Sequence, residues 1–102
     1  MSSKVETFRR LVAQDAANLL FRFSLGQALL QAGLAAEAVE HLQVAASSKA
    51  DWMMPRILLG KAWLAQQQKE RAREALQAAL ALAVAQGHED PEAELHQLLA
   101  AL

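Results

Sequence analysis

The chain has 102 residues, with 10 basic and 11 acidic side chains and no cysteine. That length holds one compact domain. The missing cysteines exclude disulfides, thiolate metal sites and a cysteine nucleophile, and a formal net charge of −1 supplies no bulk attraction for nucleic acid or an anionic membrane. Alanine occurs 23 times and leucine 18 times, whereas Val, Ile and Thr together number seven, so helix formers are abundant, strand formers are scarce and an all-α fold is expected.

Breakers and caps divide the chain into six helical stretches. The first runs from about Lys4 to Ala13, with Ser3 and Glu6 at the spacing of a capping box. Asn18 caps the second, which carries Leu19, Leu20, Phe23, Leu25, Leu29 and Leu30 before Gly33 ends it. The third spans about Ala35 to Ser47 or Ser48. For the fourth, Asp51 offers a cap, and Pro55, tolerated only in a first turn, leaves its start anywhere from Trp52 to Pro55. The fifth begins near Lys69 and reaches about Gln86, where Gly87 stops it. Asp90-Pro91-Glu92 then has the order of cap, first-turn proline and acidic first turn. Leu95, Leu98, Leu99 and Leu102 follow at i, i+3, i+4, i+7 spacing and give the last helix one apolar face.

The chain matches itself at an offset of 34. Arg22, Leu25, Gly26, Ala28, Leu30, Ala38, Glu40, Leu42, Gln43 and Ala45 recur as Arg56, Leu59, Gly60, Ala62, Leu64, Ala72, Glu74, Leu76, Gln77 and Ala79. These are ten identities without a gap between 19–52 and 53–86, where this composition gives about four by chance. Small residues at Gly26, Gly60, Ala38, Ala72, Ala45 and Ala79 let antiparallel helices approach closely, while Leu42 and Leu76 fill the space between them. A single helix pair cannot bury its apolar face, but a stack of pairs with closing terminal helices can. Residues 4–17 then read as a half repeat, 19–52 and 53–86 as full repeats, and 90–102 as a closing helix.

Leu25-Gly26-x-x-Leu29 with Ala38, Leu42 and Ala45, repeated as Leu59-Gly60-x-x-Trp63 with Ala72, Leu76 and Ala79, resembles the tetratricopeptide repeat, whose length is also 34 residues. The resemblance covers about residues 4–86. Arg22 and Arg56 depart from it where the family favours tryptophan, and Ala50 and Val84 where it favours proline. It implies an α-solenoid of antiparallel helix pairs that binds another protein or peptide and has no catalytic activity or cofactor. The first helix of each repeat would line a concave groove, through Leu20, Phe23, Gln27 and Leu30 in one repeat and Met54, Ile57, Lys61 and Leu64 in the next. Relatives that grip a C-terminal carboxylate use lysine and asparagine at places that here hold Phe23, Gln27 and Ile57, and Lys61 alone is basic. An amphipathic helix or extended apolar peptide therefore suits this groove better. The alternative is a homo-oligomer formed through the same surface.

The remaining motifs point to structure. Trp52-Met53-Met54 is read as a packed corner between repeats, with an interface anchor as the competing reading. Glu6 with Arg22, and Glu40 with Arg56, are expected to face each other across the turns joining their helices, unless all four are separately solvated. His41 is read as a surface partner of Glu37, one turn before it. His88, Glu92 and His96 are four apart, but a helix starting at Asp90-Pro91 breaks the row, so exposed histidines are favoured over a metal site. No Ser/His/Asp set or glycine-rich phosphate loop is present, and Lys69-Glu70-Arg71-Ala72-Arg73-Glu74 is a mixed-charge solvated face. The first ten residues lack an apolar core behind a basic segment, so a cytoplasmic location is expected. The longest apolar run, Ala78 to Ala85, is eight residues, far short of the roughly 20 that span a bilayer.

Overall fold

The computed structural model describes residues 3–102. Six α-helices, and no strand among the described residues, follow in the order α1 (Ser3–Gln14), α2 (Leu19–Gln31), α3 (Ala35–Ser48), α4 (Met53–Ala65), α5 (Lys69–Gln86) and α6 (Glu89–Ala100). Each helix packs on its neighbours in the chain, and α2 also touches α4. No packing pair closes α6 back onto α1. The arrangement is an open stack of antiparallel pairs, as the offset of 34 predicts.

Close approach within each pair rests on one glycine and one leucine. A Cβ built on Gly26 would lie 2.6 Å from Leu42 Cγ, and one built on Gly60 would lie 2.5 Å from Leu76 Cγ. Both leucines are fully buried, as are Ala38, Ala45, Ala72 and Ala79. The same steric lock thus operates twice, 34 residues apart. Val5, Val12, Leu25, Leu29, Leu42 and Leu59 form one continuous core region, and Met53, Ile57, Leu76, Ala79, Ala83 and Leu95 form the next.

The stops that end α2, α4 and α5 also repeat. Gly33, at φ +82°, follows α2, and the Leu34 amide donates to Leu29 O at 2.9 Å. After α4, Gln67 holds φ +60° while Gln68 N donates to Trp63 O at 2.9 Å; after α5, Gly87 holds φ +72° while His88 N donates to Ala83 O at 2.9 Å. All three are left-handed helix stops that satisfy a terminal carbonyl. Gln67 stands where the first repeat has Gly33, so it accepts a conformation costly for a residue with a side chain.

Asn18 caps α2 as expected, its Oδ1 accepting from Phe21 N at 3.0 Å. The other expected caps are displaced. Helix α1 already includes Ser3, the residue before it lies outside the described residues, and Ser3 O accepts from Thr7 Oγ1. Helix α4 starts at Met53, within the expected range, but its cap position is Trp52 rather than Asp51, and α6 starts after His88 rather than Asp90, in both cases without a side-chain cap. Pro55 and Pro91 are each the third residue of their helix. The first four amides of a helix have no intrahelical acceptor, so proline loses no hydrogen bond there and the helix can begin ahead of it.

The expected Glu–Arg pairs do not form. Arg22 Nε donates to Ala16 O at 2.7 Å and Arg56 Nη2 to Ala46 O at 3.4 Å, while Glu6 and Glu40 stay exposed. Arg22 thus reaches the turn after α1, and Arg56 the last turn of α3, where a cation complements the helix dipole. Arg9 instead spans α1 to α3 with a two-pronged contact to Glu37, its Nη2 donating to Oε1 at 2.9 Å.

Candidate functional site

The eight groove positions divide by environment. Leu20 and Met54, which occupy equivalent places on α2 and α4, are 61% and 37% exposed. Phe23 is half-buried, with its ring centroid 4.9 Å from that of Trp52. Trp52 leads into Met53, which is core, and then Met54, which is surface. The Trp52-Met53-Met54 segment is therefore at once a packed corner and the edge of an exposed apolar strip. Leu30 is half-buried against the first core region and Leu64 against the second, while Gln27 is exposed. Ile57 is only 3% exposed, so its contribution to any surface is small.

Two concavities flank this strip. One, of about 260 Å3, lies between α4 and α6 and is lined by Met54, Ile57, Leu58, Lys61, Asp90, Pro91 and Glu94. The other, of about 190 Å3, lies between α1 and α2 and is lined by Lys4, Phe8, Ser24, Gln27, Ala28 and Gln31. Met54, Ile57 and Lys61 thus line the hollow completed by α6, Gln27 lines a more polar one completed by α1, and Leu20, Phe23, Leu30 and Leu64 line neither. The α6 contribution was invisible to the repeat pattern, because α6 lies beyond the two matched segments. Lys61 Nζ sits 3.0 Å from Glu94 Oε1, so the one basic groove residue is tied to α6.

On the opposite side, a hollow of about 180 Å3 lined by Gln43, Arg56, Leu59, Trp63, Glu74 and Ala75 opens where α3, α4 and α5 meet. Arg56 lines it, and its Nε is buried without a hydrogen-bond partner. Trp63 is half-buried, with the Arg71 guanidinium over its ring at 4.9 Å from the centroid, a cation–π contact.

His41 has a different partner from the one expected. Glu37 is occupied by Arg9, and Arg22 Nη1 lies 3.4 Å from His41 Nδ1. Burial lowers the His41 pKa below its ordinary 6.5, and Arg22 adds to the fall against the opposing pull of Glu37 and Glu40. The folded state therefore resists protonation more than the unfolded chain does. Its stability contribution is complete above pH 6.5 and is lost as pH falls through the lowered value. Between about pH 7.5 and about pH 5, the urea midpoint should fall less in His41→Gln than in the natural chain. Equal falls would contradict this linkage.

Among the described residues, no three His, Asp or Glu side chains gather as a metal-binding group. His88 precedes α6, and His96 Nε2 lies 3.7 Å from Glu92 Oε1 on its exposed face. No helix of the described residues is long and apolar enough to cross a membrane.

An open stack of helix pairs with duplicated glycine–leucine locks and a partly exposed apolar strip defines a helical-repeat protein of the tetratricopeptide class. No family model matches the chain. It is, however, 35% identical over 91 residues to the TPR repeat-containing protein PA0015 of Pseudomonas aeruginosa, an alignment covering 89% of this chain and 87% of that one. The chain therefore belongs to the tetratricopeptide-repeat family. Among solved structures it resembles protein BPP2914 of Bordetella parapertussis, with a TM-score of 0.83 and 28% identity over 99% of this chain and 88% of that one. It also shares its fold with PcrH of Pseudomonas aeruginosa, with a TM-score of 0.86 at 22% identity over 95% and 74% of the two chains. Folds of this kind serve in general as protein-interaction scaffolds.

Proposed function

We propose that this chain is a non-enzymatic adaptor that binds an apolar or amphipathic polypeptide segment along the face of α2 and α4. The carrying observation is the exposure of two large apolar side chains, Leu20 and Met54, at equivalent positions on touching helices. Burying such side chains against a partner contributes about 1.5 to 3 kcal/mol each. The reading takes 19–52 and 53–86 as full repeats, 4–17 as a half repeat and 90–102 as the closing helix, in a cytoplasmic protein that uses neither cofactor nor nucleic acid nor membrane. Phe23 and Trp52 stiffen the strip, and Gln27, Leu30, Lys61 and Leu64 border it.

Its test uses exposed positions, because a charge at the buried Ile57 would unfold the chain before it reported on binding. Leu20→Ser with Met54→Ser should keep the helical circular dichroism and the melting temperature. The double variant should lose the polypeptide that the natural chain captures from its cell extract. Capture that survives would show the face to be wrongly assigned. Light scattering over a range of concentrations separates the alternative of self-association: a mass that rises with concentration, and falls back to one chain in the double variant, would make a second copy the occupant.

A further inference from the structure

Within that groove, the hollow between α4 and α6 differs from the rest in its chemistry. Met54, Ile57 and Pro91 supply apolar walls, and Lys61, Asp90 and Glu94 supply the charges. Lys61 is neutralised by Glu94 at 3.0 Å. Asp90 is exposed and enters none of the ion pairs or hydrogen bonds of the described residues. Beside its apolar walls the hollow therefore carries one carboxylate with no side-chain partner. The hollow between α1 and α2 is lined instead by Lys4, Phe8 and the amides of Gln27 and Gln31.

We propose that the α4–α6 hollow recognises a basic side chain lying beside a bulky apolar one, so that the partner is a peptide segment pairing Lys or Arg with a neighbouring Leu, Phe or Met. This rests on the groove reading and narrows it to one class of ligand. An apolar side chain seated against Met54 and Pro91 displaces water from the hollow, which strengthens the attraction of a nearby cation to Asp90. Lysine and arginine also carry methylene stems that can lie along Pro91 while the charged head stays at the rim. An acidic partner would meet both Asp90 and Glu94 and would have to compete for a lysine already engaged.

Random peptides of about 12 residues, displayed on phage and selected on the immobilised full chain, test this. The sequences enriched should place Lys or Arg within about four positions of a bulky apolar residue. As fluorescent peptides they should bind about fivefold or more weakly once the base is changed to Gln, a difference that fades at high salt. In Asp90→Asn with Glu94→Gln, Lys61 becomes the unpaired charge of the hollow, and selection should shift from basic to acidic residues. Two results would overturn the proposal. If enriched peptides depend on Leu20 and Met54 but show no excess of bases, the ligand class is wrong and the groove reading stands. If no peptide is enriched, or enriched peptides bind Leu20→Ser with Met54→Ser as well as the natural chain, both fall together.

Discussion

Gly60→Ala should destabilise this protein, although the same change in an ordinary helix interior stabilises it by about 0.5 to 1 kcal/mol. The reversal follows from placement: the new methyl group would sit 2.5 Å from Leu76 Cγ, and Leu76 is fully buried. Either the leucine leaves its rotamer or α4 and α5 move apart, and overpacking of this kind costs about 1 to 3 kcal/mol. In a domain of this size that is a fall of about 4 to 8 °C in melting temperature for each kcal/mol. Gly26→Ala should act in the same direction through Leu42, and leucine at either glycine should cost more. Pairing Gly60→Ala with Leu76→Ala makes the argument specific, because the truncated side chain leaves room for the added methyl. The double variant should be more stable than the sum of the two single losses implies. Additive losses, or a stabilised Gly60→Ala, would show that the helices of each pair are not locked at this point.

This lock was legible in the sequence because it depends on residue size at a fixed spacing, and both glycines with their leucines recur 34 residues apart. The six helices and the left-handed stops at Gly33 and Gly87 were legible for related reasons, since glycine marks a backbone requirement directly. Gln67 carried no such mark; its conformation is imposed by the turn that α4 and α5 must make, and only the alignment with Gly33 hints at it. The partners of Arg22 and Arg56 were misjudged because a long side chain selects its acceptor from helix ends that the packing brings near. The nearest acceptors proved to be backbone carbonyls of Ala16 and Ala46. The repeat named the proposed groove positions, but not how exposed each one is. Ile57 is covered and Met54 is open, and both border the hollow with α6, a helix with no counterpart in the repeat from which to read its docking.

That docking gives the second large effect. Leu95 is the one fully buried residue of α6, and Leu98, Leu99 and Leu102 pack around it against the α5 region of the core. Leu95→Ala should cost about 2 to 5 kcal/mol, the range for deleting a buried leucine side chain. In a stack where each helix contacts mainly its neighbours, the loss should appear first as local release of α6, with the remaining helices holding. Hydrogen exchange can read this directly. Amides of α6 should lose protection while those of α2 and α3 keep theirs, and equal loss through all six helices would show that α6 is an integral part of one cooperative unit. Release of α6 has a functional signature as well, because Asp90, Pro91 and Glu94 leave the hollow together. Peptides held by Leu20 and Met54 should then still bind, more weakly, and without preference for a basic residue. Helix α6 thus has two roles: its leucines pack on the second core region, and Asp90 and Glu94 in its first two turns supply the acidic charges of the hollow.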